Sequence, residues 1–426
     1  MNTFIENKIN LFRQFQLKGF FHLLSANILI QIVALASQLF VAGILAPDDM
    51  GRIKIIQTYL SLFSIIAGMG FNTSILKLCS ENRTLEEKKS LFQSALFFTI
   101  ITTICLYTII LILNFLNIFT ADRVIKWLIP IGLFPIISNS IFMVFVSYFQ
   151  AIKKIKLISN LTISNKLLSI VGIVLLTYFF GIKGYYWAYN LSFILILFFC
   201  FKAYGSLFKV KSILPNNSSK FLILWEYAKT SIFANLLSEM SAYVDIILLS
   251  FFIKNMQQIG YYSFALTITV ILKLFPSTVQ QIASPYFSSL ANQKNDFILV
   301  FKKYNKLLYL VVAISLILVL ATMPFLTHWI FNGKYDQSMI YFPMLAIGWS
   351  LRHLTQLQSG AIFGLGKIQY NAYVSLISLI VNIITISISL YFFGLIGAAY
   401  ASIFNGFIFN LSSRYYYNKA QSKIKY

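Results

Sequence analysis

The chain has 426 residues, 58% of them hydrophobic and 11% charged, and its 34 Lys and Arg against 12 Asp and Glu give a formal net charge of +22. A soluble domain carries about 25% charged residues, and a mean hydropathy of +0.77 exceeds what a water-facing core of this length hides, so a soluble enzyme is excluded. A strongly basic chain can bind nucleic acid, but the placement of the charges, taken up below, argues against that partner.

The first residues are polar through Lys18, and the first apolar run is a full-length span without a clear cleavage site, so no cleavable signal peptide is read here. Twelve runs follow, at 21–45, 55–76, 91–117, 127–150, 157–180, 184–201, 230–253, 261–285, 307–331, 338–363, 371–393 and 395–413. Each is near the roughly 20 apolar residues that cross a bilayer as a helix. The ten-residue alternating segments of a barrel are absent, and backbone in lipid must pair internally. The predicted fold class is therefore an all-α integral membrane protein of about 12 transmembrane helices.

Charge orients the spans. With the N-terminus in the cytoplasm, the cytoplasmic segments hold 24 Lys and Arg, the outer loops hold 7, and 3 lie inside spans. This is the positive-inside pattern with both termini inside, and losing one helix would break the alternation. The basic excess thus reads as topology, with attraction to anionic membrane lipid as a secondary effect. The longest loop, 202–229, contains Pro215-Asn216-Asn217-Ser218-Ser219 at the middle of the chain, a turn-rich linker signal. It divides the chain into an N-terminal six-helix bundle over 1–204, a cytoplasmic linker over 205–229 and a C-terminal six-helix bundle over 230–426.

The halves are related in sequence. At an offset of 213, Pro130 meets Pro343, Lys154-Ile155 meets Lys367-Ile368, Tyr-Phe-Phe-Gly at 178–181 meets the same four residues at 391–394, Gly184 meets Gly397, and Ala188 meets Ala401. Near the start of each half the offset is 208: Ala26-Asn27-Ile28-Leu29 meets Ala234-Asn235-Leu236-Leu237, and after one insertion Gly51 meets Gly260. Six spans per half is an even number, so the repeats are parallel, and such halves enclose a site at their interface.

Charges inside spans cost about 2.5–3.5 kcal/mol on insertion scales and mark functional positions. They are Lys166 in span five, Glu239 and Asp245 in span seven, Lys273 in span eight and Arg352 in span ten. Helical spacing aligns Lys273 with Ser277, Gln280 and Ser284, and Arg352 with Gln356 and Ser359. It also aligns Asn27, Gln31 and Gln38 on span one, Ser238, Ser241 and Asp245 on span seven, and Asn235 with Glu239. Lys273, Arg352 and Lys166 are candidates for lining an anionic path, and Glu239 and Asp245 for ion coupling or substrate contact. Asn27, Gln31, Gln38, Asn235, Gln280 and Gln356 are candidates for a polar cavity lining. The structural alternative is that Lys273 pairs with Asp245 or Glu239, or that polar stripes only join helices. His328 and His353 read as packed polar groups. Cys79, Cys105 and Cys200 are scattered, neither a disulfide framework nor a metal set. No nucleotide-binding or hydrolase motif occurs. Neither a catalytic residue nor a metal or cofactor is expected.

Three segments carry a family resemblance: LAPDDMG at 45–51, YVDIILLSFFIKNMQQIGYYS at 243–263 and IFNGKYDQSMIYFPMLA at 330–346. With twelve spans in two parallel halves, they resemble the Wzx-type O-antigen (repeat-unit) flippases of the MOP superfamily, relatives of lipid II flippases and MATE exporters. The resemblance implies two bundles around a central cavity and a substrate of undecaprenyl-diphosphate-linked glycan, turned from the inner to the outer leaflet of the bacterial cytoplasmic membrane. Membrane lipid and other polysaccharide assembly proteins are the implied partners. Of the family's residues only the span-seven Asp carries over well, at Asp245. The lipid II branch has cavity cations in its early spans; here Arg52 and Lys54 are read at the outer mouth of span two, which favours the repeat-unit branch. The alternatives are a MATE-like cation-coupled exporter, disfavoured by the basic intramembrane set, and a membrane polysaccharide polymerase or ligase, disfavoured by outer loops under ten residues.

Overall fold

A computed structural model of the chain describes residues 21–81, 83–120, 122–208, 220–290 and 293–422, which are helical with no strand among them. The helices are α1 (Phe21–Ile44), α2 (Pro47–Ala67), α3 (Phe71–Ser80), α4 (Leu85–Phe115), α5 (Arg123–Leu133), α6 (Pro135–Ala151), α7 (Ile155–Phe208), α8 (Lys220–Phe252), α9 (Met256–Ser289), α10 (Lys294–Phe331), α11 (Ser338–His353), α12 (Gln356–Gly364) and α13 (Ile368–Gln421). Of the linker expected over 205–229, residues 205–208 end α7, 220–229 open α8, and 209–219 lie outside the described residues.

Twelve spans arise from these thirteen helices. α2 and α3 form one span bent by 47° around Gly70, whose φ of 62° needs a residue without a Cβ. α5 with α6, and α11 with α12, are each one interrupted span. The 54-residue helices α7 and α13 are each two spans, because a straight helix of that length would extend about 80 Å. Each reverses at one glycine: Gly181 at φ 58°, ψ −143° and Gly394 at φ 60°, ψ −148°. A Cβ on Gly184 would come within 1.8 Å of the Leu176 carbonyl oxygen, and one on Gly397 within 2.3 Å of that of Ser389, so each glycine lets the returning span lie on the one before it. The repeated Tyr-Phe-Phe-Gly is therefore a turn, with its six aromatic rings 66–77% exposed, as suits a membrane–water interface.

Prolines inside spans release carbonyls that lipid cannot satisfy, and neighbouring helices satisfy two of them. Pro130 frees the Lys126 carbonyl, which accepts from Asn114 Nδ2 at 3.0 Å; Pro135 frees that of Ile131, which accepts from Asn190 Nδ2 at 2.8 Å. The N-terminal half is packed around Phe71, Phe92, Phe145 and Tyr148, and part of the C-terminal half around Phe287, Phe297 and Phe301. The largest cluster runs through both halves, from Ile56 and Leu128 to Phe264 and Leu345.

The halves meet where the repeat places equivalent glycines. A Cβ on Gly51 of α2 would lie 2.7 Å from the Met256 carbonyl oxygen and 2.9 Å from Gly260 N, and one on Gly260 of α9 would lie 1.8 Å from that of Pro47. The chain thus folds as an all-α, twelve-span membrane protein of two parallel six-helix repeats around a central cavity.

Candidate central cavity

The central cavity has two adjoining chambers walled mostly by the N-terminal half, to which the C-terminal half adds Tyr243 in the first and Ile232, Asn235, Ser238 and Glu239 in the second. The first, of about 450 Å³, is lined by Gln31, Gln38, Lys54, Gln57, Lys166 and Tyr243 among others, and no carboxylate lines it. Tyr185, at the start of span six, ties spans one and two to the wall: its hydroxyl accepts from Gln38 Nε2 at 3.3 Å and from Gln57 Nε2. Lys54 Nζ stands 5.7 Å from the ring centre of Tyr243, so a span-two cation faces an aromatic from the other half.

Lys54 corrects the sequence reading, which set it at the outer mouth. Pro47 takes the first helical position, and Asp48 and Asp49 fill the first turn, where the helix dipole favours them. Arg52 is neutralised by Asp49 at 2.8 Å and by Asp122 at 3.2 Å. The polar stretch is thus helix rather than link, and Lys54 lies two turns inside span two. The missed signal is the Pro-Asp-Asp helix start.

The second chamber, of about 400 Å³, is lined by Ser64, Asn72, Asn139, Asn235, Ser238 and Glu239, with no Lys or Arg. Leu60, Ser61 and Tyr189 border both chambers. Along α2 the residues facing the first chamber end at Ser61 and those facing the second continue to Gly68, so the two follow one another along the span.

The remaining sequence candidates divide between these chambers and the C-terminal half. Gln31, Gln38 and Lys166 line the first chamber, and Asn235 and Glu239 line the second; the Asn27 side chain lies outside the described residues. Asp245 and Arg352 share a hollow of about 50 Å³ with Ser241, Ser378, Asn382 and Asn405. There the Arg352 guanidinium lies 4.4 Å from the ring centre of Phe409. Asn382 Nδ2 donates to the Ser241 carbonyl at 3.0 Å, while Asn382 Oδ1 and Asn405 Nδ2 are buried without partners. Lys273 lines none of these spaces; it acts electrostatically on Glu239, and no ion pair joins the two among the described residues. Gln280 accepts from Gln356 Nε2 at 2.6 Å, so these two amides are paired with each other. His353 is 4% exposed, its Nδ1 3.2 Å from Gln356 Oε1. Lys166 is therefore not brought together with Lys273 or Arg352, and Lys54 is the cation that shares its chamber. No group of three His, Cys, Asp or Glu among the described residues is placed to hold a metal ion.

At the end where spans one and two join, the 332–337 loop closes the space. Lys334 Nζ donates to the carbonyls of Ala42 and Gly43, each at 3.0 Å, and Tyr335 Oη to those of Ala42 at 3.0 Å and Leu45 at 3.5 Å. These carbonyls end α1 and lack helical partners, so the C-terminal half caps a helix of the N-terminal half. Burial lowers the pKa of Lys334 from the ordinary lysine value. The loop is held by His328 Nδ1 and Asp336 Oδ2, 2.7 Å apart.

Comparison with known proteins agrees with this architecture. Residues 16–291 match the family described as polysaccharide biosynthesis protein. No curated protein matches the chain in sequence. Among solved structures, the lipid II flippase MurJ in an inward closed conformation superposes with a TM-score of 0.74 at 16% identity, covering 93% of this chain and 90% of that one. An inward-facing multidrug-resistance MATE family transporter of the MOP superfamily gives 0.70 at 12% identity, over 93% and 96%. A MOP superfamily transporter from Pyrococcus furiosus, described as having reversed binding-pocket polarity, gives 0.68 at 13% identity, over 95% of each chain. The chain belongs to the polysaccharide biosynthesis protein family, and its fold is that of the MOP-superfamily membrane transporters.

Proposed function

We propose that the protein is a flippase that turns an undecaprenyl-diphosphate-linked oligosaccharide from the inner to the outer leaflet of a bacterial cytoplasmic membrane by alternating access. One observation carries this reading: the first chamber holds Lys54 and Lys166 and no carboxylate. Ammonium groups inside a membrane are expensive unless anions compensate them. Asp245 acts on Lys54 from outside the chamber, no carboxylate lines the chamber beside Lys166, and a diphosphate supplies the anion there. An exporter of cations would meet repulsion there. The positive-inside charge count places both termini in the cytoplasm, so the end closed by Lys334 and Tyr335 faces outward and the cavity serves the inner leaflet.

Ion coupling belongs to the C-terminal half in this reading. Asp245 shares its hollow of hydroxyls and amides with Arg352, and its carboxylate oxygens are the acceptors that a proton or Na⁺ requires, in competition with the Arg352 guanidinium. Glu239 faces the substrate chamber instead.

The test is glycan display at the cell surface in a host lacking its own flippase. Lys54→Gln with Lys166→Gln is expected to reduce display at least about tenfold, while the Lys→Arg pair keeps most of it because the charge is kept. Wild-type display by the well-expressed Gln pair would remove the diphosphate role from these lysines. A transport signal that ignores imposed proton and Na⁺ gradients in the wild type would remove coupling.

A further inference from the structure

We infer that the second chamber is a separate glycan subsite that reads neutral or amino sugars and disfavours acidic ones. The inference rests on the flippase reading above and adds where the sugar is held and which sugars fit. The two chambers differ in sign. Lys54 and Lys166 line the first without a carboxylate, and Glu239 lines the second without a Lys or Arg; the opposite charges that act on them, Asp245 on Lys54 and Lys273 on Glu239, lie outside the two linings. A ligand spanning both must be anionic at one end and uncharged or cationic at the other.

The second chamber also offers unused hydrogen-bonding capacity. The Asn72, Asn139, Ser238 and Glu239 side chains make no hydrogen bond or ion pair among the described residues, and Ser64 Oγ is buried without a partner. Amides and hydroxyls that only join helices are paired across the contact, as Ser241 is with Ser378 at 2.9 Å and Gln280 with Gln356. Unpaired polar groups around a roomy space cost free energy unless a polar ligand or water fills it. Carbohydrate hydroxyls both donate and accept, which suits Asn amides, Ser hydroxyls and one carboxylate acceptor. The volume of about 400 Å³ falls within the range of about 300–1,000 Å³ that encloses small ligands.

The separation fits an extended substrate. Lys54 and Ser64 are ten residues apart on α2, about 15 Å along the axis at about 1.5 Å per residue. A diphosphate at the lysines would reach Asn72 and Asn139 only through a chain of several sugars. Glu239 then sets the sign rule: its carboxylate accepts from hydroxyl or ammonium groups and repels a uronic acid.

The experiment measures binding of three probes to the purified full-length protein in detergent: undecaprenyl diphosphate alone, the same lipid bearing a neutral trisaccharide, and one bearing a trisaccharide that ends in a uronic acid. Wild type should bind the neutral glycolipid more tightly than the other two. Asn72→Ala with Asn139→Ala removes two neutral hydrogen-bonding groups, so its affinity for the neutral glycolipid should fall about tenfold. Binding of the bare lipid should stay within about twofold of wild type at equal thermal stability. Asn72→Gln with Asn139→Gln retains the amides and should recover part of the loss. Glu239→Gln should narrow the gap between the neutral and acidic glycolipids. Equal wild-type affinity for the bare and glycosylated lipids overturns the subsite, as does an Ala pair that weakens all three probes alike. A Lys54→Gln, Lys166→Gln variant that binds bare lipid like wild type sinks the diphosphate reading instead, and a sugar-dependent effect of the Asn pair would survive that result.

Discussion

Asn114 and Asn190 have the same task at different heights of span four. Each donates a side-chain amide to a carbonyl that a proline has stripped of its helical partner, Asn114 to Lys126 and Asn190 to Ile131. In hydrocarbon no water can replace that donor. Asn190→Leu keeps the bulk, leaves the Ile131 carbonyl unpaired and should cost about 1–3 kcal/mol, read as a lower melting temperature in detergent with chamber binding retained. A change below about 0.5 kcal/mol would mean that another donor takes over. At this scale the sequence was informative about charge cost and blind to pairing. Lys166, Gln31, Gln38, Asn235 and Glu239 line the cavity; the cost of a charge inside a span marked Lys166, and helical spacing marked the others as polar faces. Lys54 escaped because a Pro-Asp-Asp helix start looks like a loop when apolar runs define the spans. Gln280 and Gln356 belong to a polar stripe, yet they bond one another, which spacing along a single helix cannot reveal.

At the scale of elements, the repeated Tyr-Phe-Phe-Gly shows what a sequence repeat leaves unsaid. Matched residues at an offset of 213 indicated duplication; the structure shows that each copy reverses the chain between paired spans through Gly181 or Gly394. The expected spans 157–180 and 184–201, and 371–393 and 395–413, already break at these turns; what the sequence left unsaid is that a single glycine makes each reversal. Gly181 and Gly394 adopt φ 58° and 60° with ψ −143° and −148°, a region nearly reserved for glycine, where a Cβ costs roughly 1–3 kcal/mol. Gly181→Ala should therefore destabilise modestly. Gly184→Ala should cost more, because its Cβ would press on the Leu176 backbone rather than on a flexible side chain. The two melting temperatures should rank wild type above Gly181→Ala above Gly184→Ala; the reverse order of the variants would place the strain in the turn rather than in the contact between spans five and six.

At the scale of the whole molecule, transport between leaflets requires the halves to part at the end where they now touch. Besides the apolar cluster shared by the halves, two contacts among the described residues hold that end. One is the approach of Gly51 and Gly260, and the other is the cap that Lys334 and Tyr335 place on the last carbonyls of α1. The cap is polar and directional, and it joins the 332–337 loop of one half to a helix terminus of the other. Net hydrogen bonds of about 0.5–1.5 kcal/mol make it strong enough to bias a two-state equilibrium and weak enough to release on each cycle. Lys334→Met with Tyr335→Phe removes these donors while leaving the glycine contact intact. If the cap holds the closed state, the double variant should shift the population toward opening by about tenfold or more. A cysteine at Ser61, on the wall shared by both chambers, reports this in a background with Cys79, Cys105 and Cys200 replaced. A membrane-impermeant thiol reagent added from outside should label it faster in the double variant than in the parent. Gly51→Ala provides the comparison, since its Cβ would meet the Met256 carbonyl oxygen at 2.7 Å and wedge the same contact apart. Faster labelling in Gly51→Ala but not in the Lys334→Met, Tyr335→Phe pair, at equal protein level, would assign closure to the glycine contact and leave the cap a passive helix end.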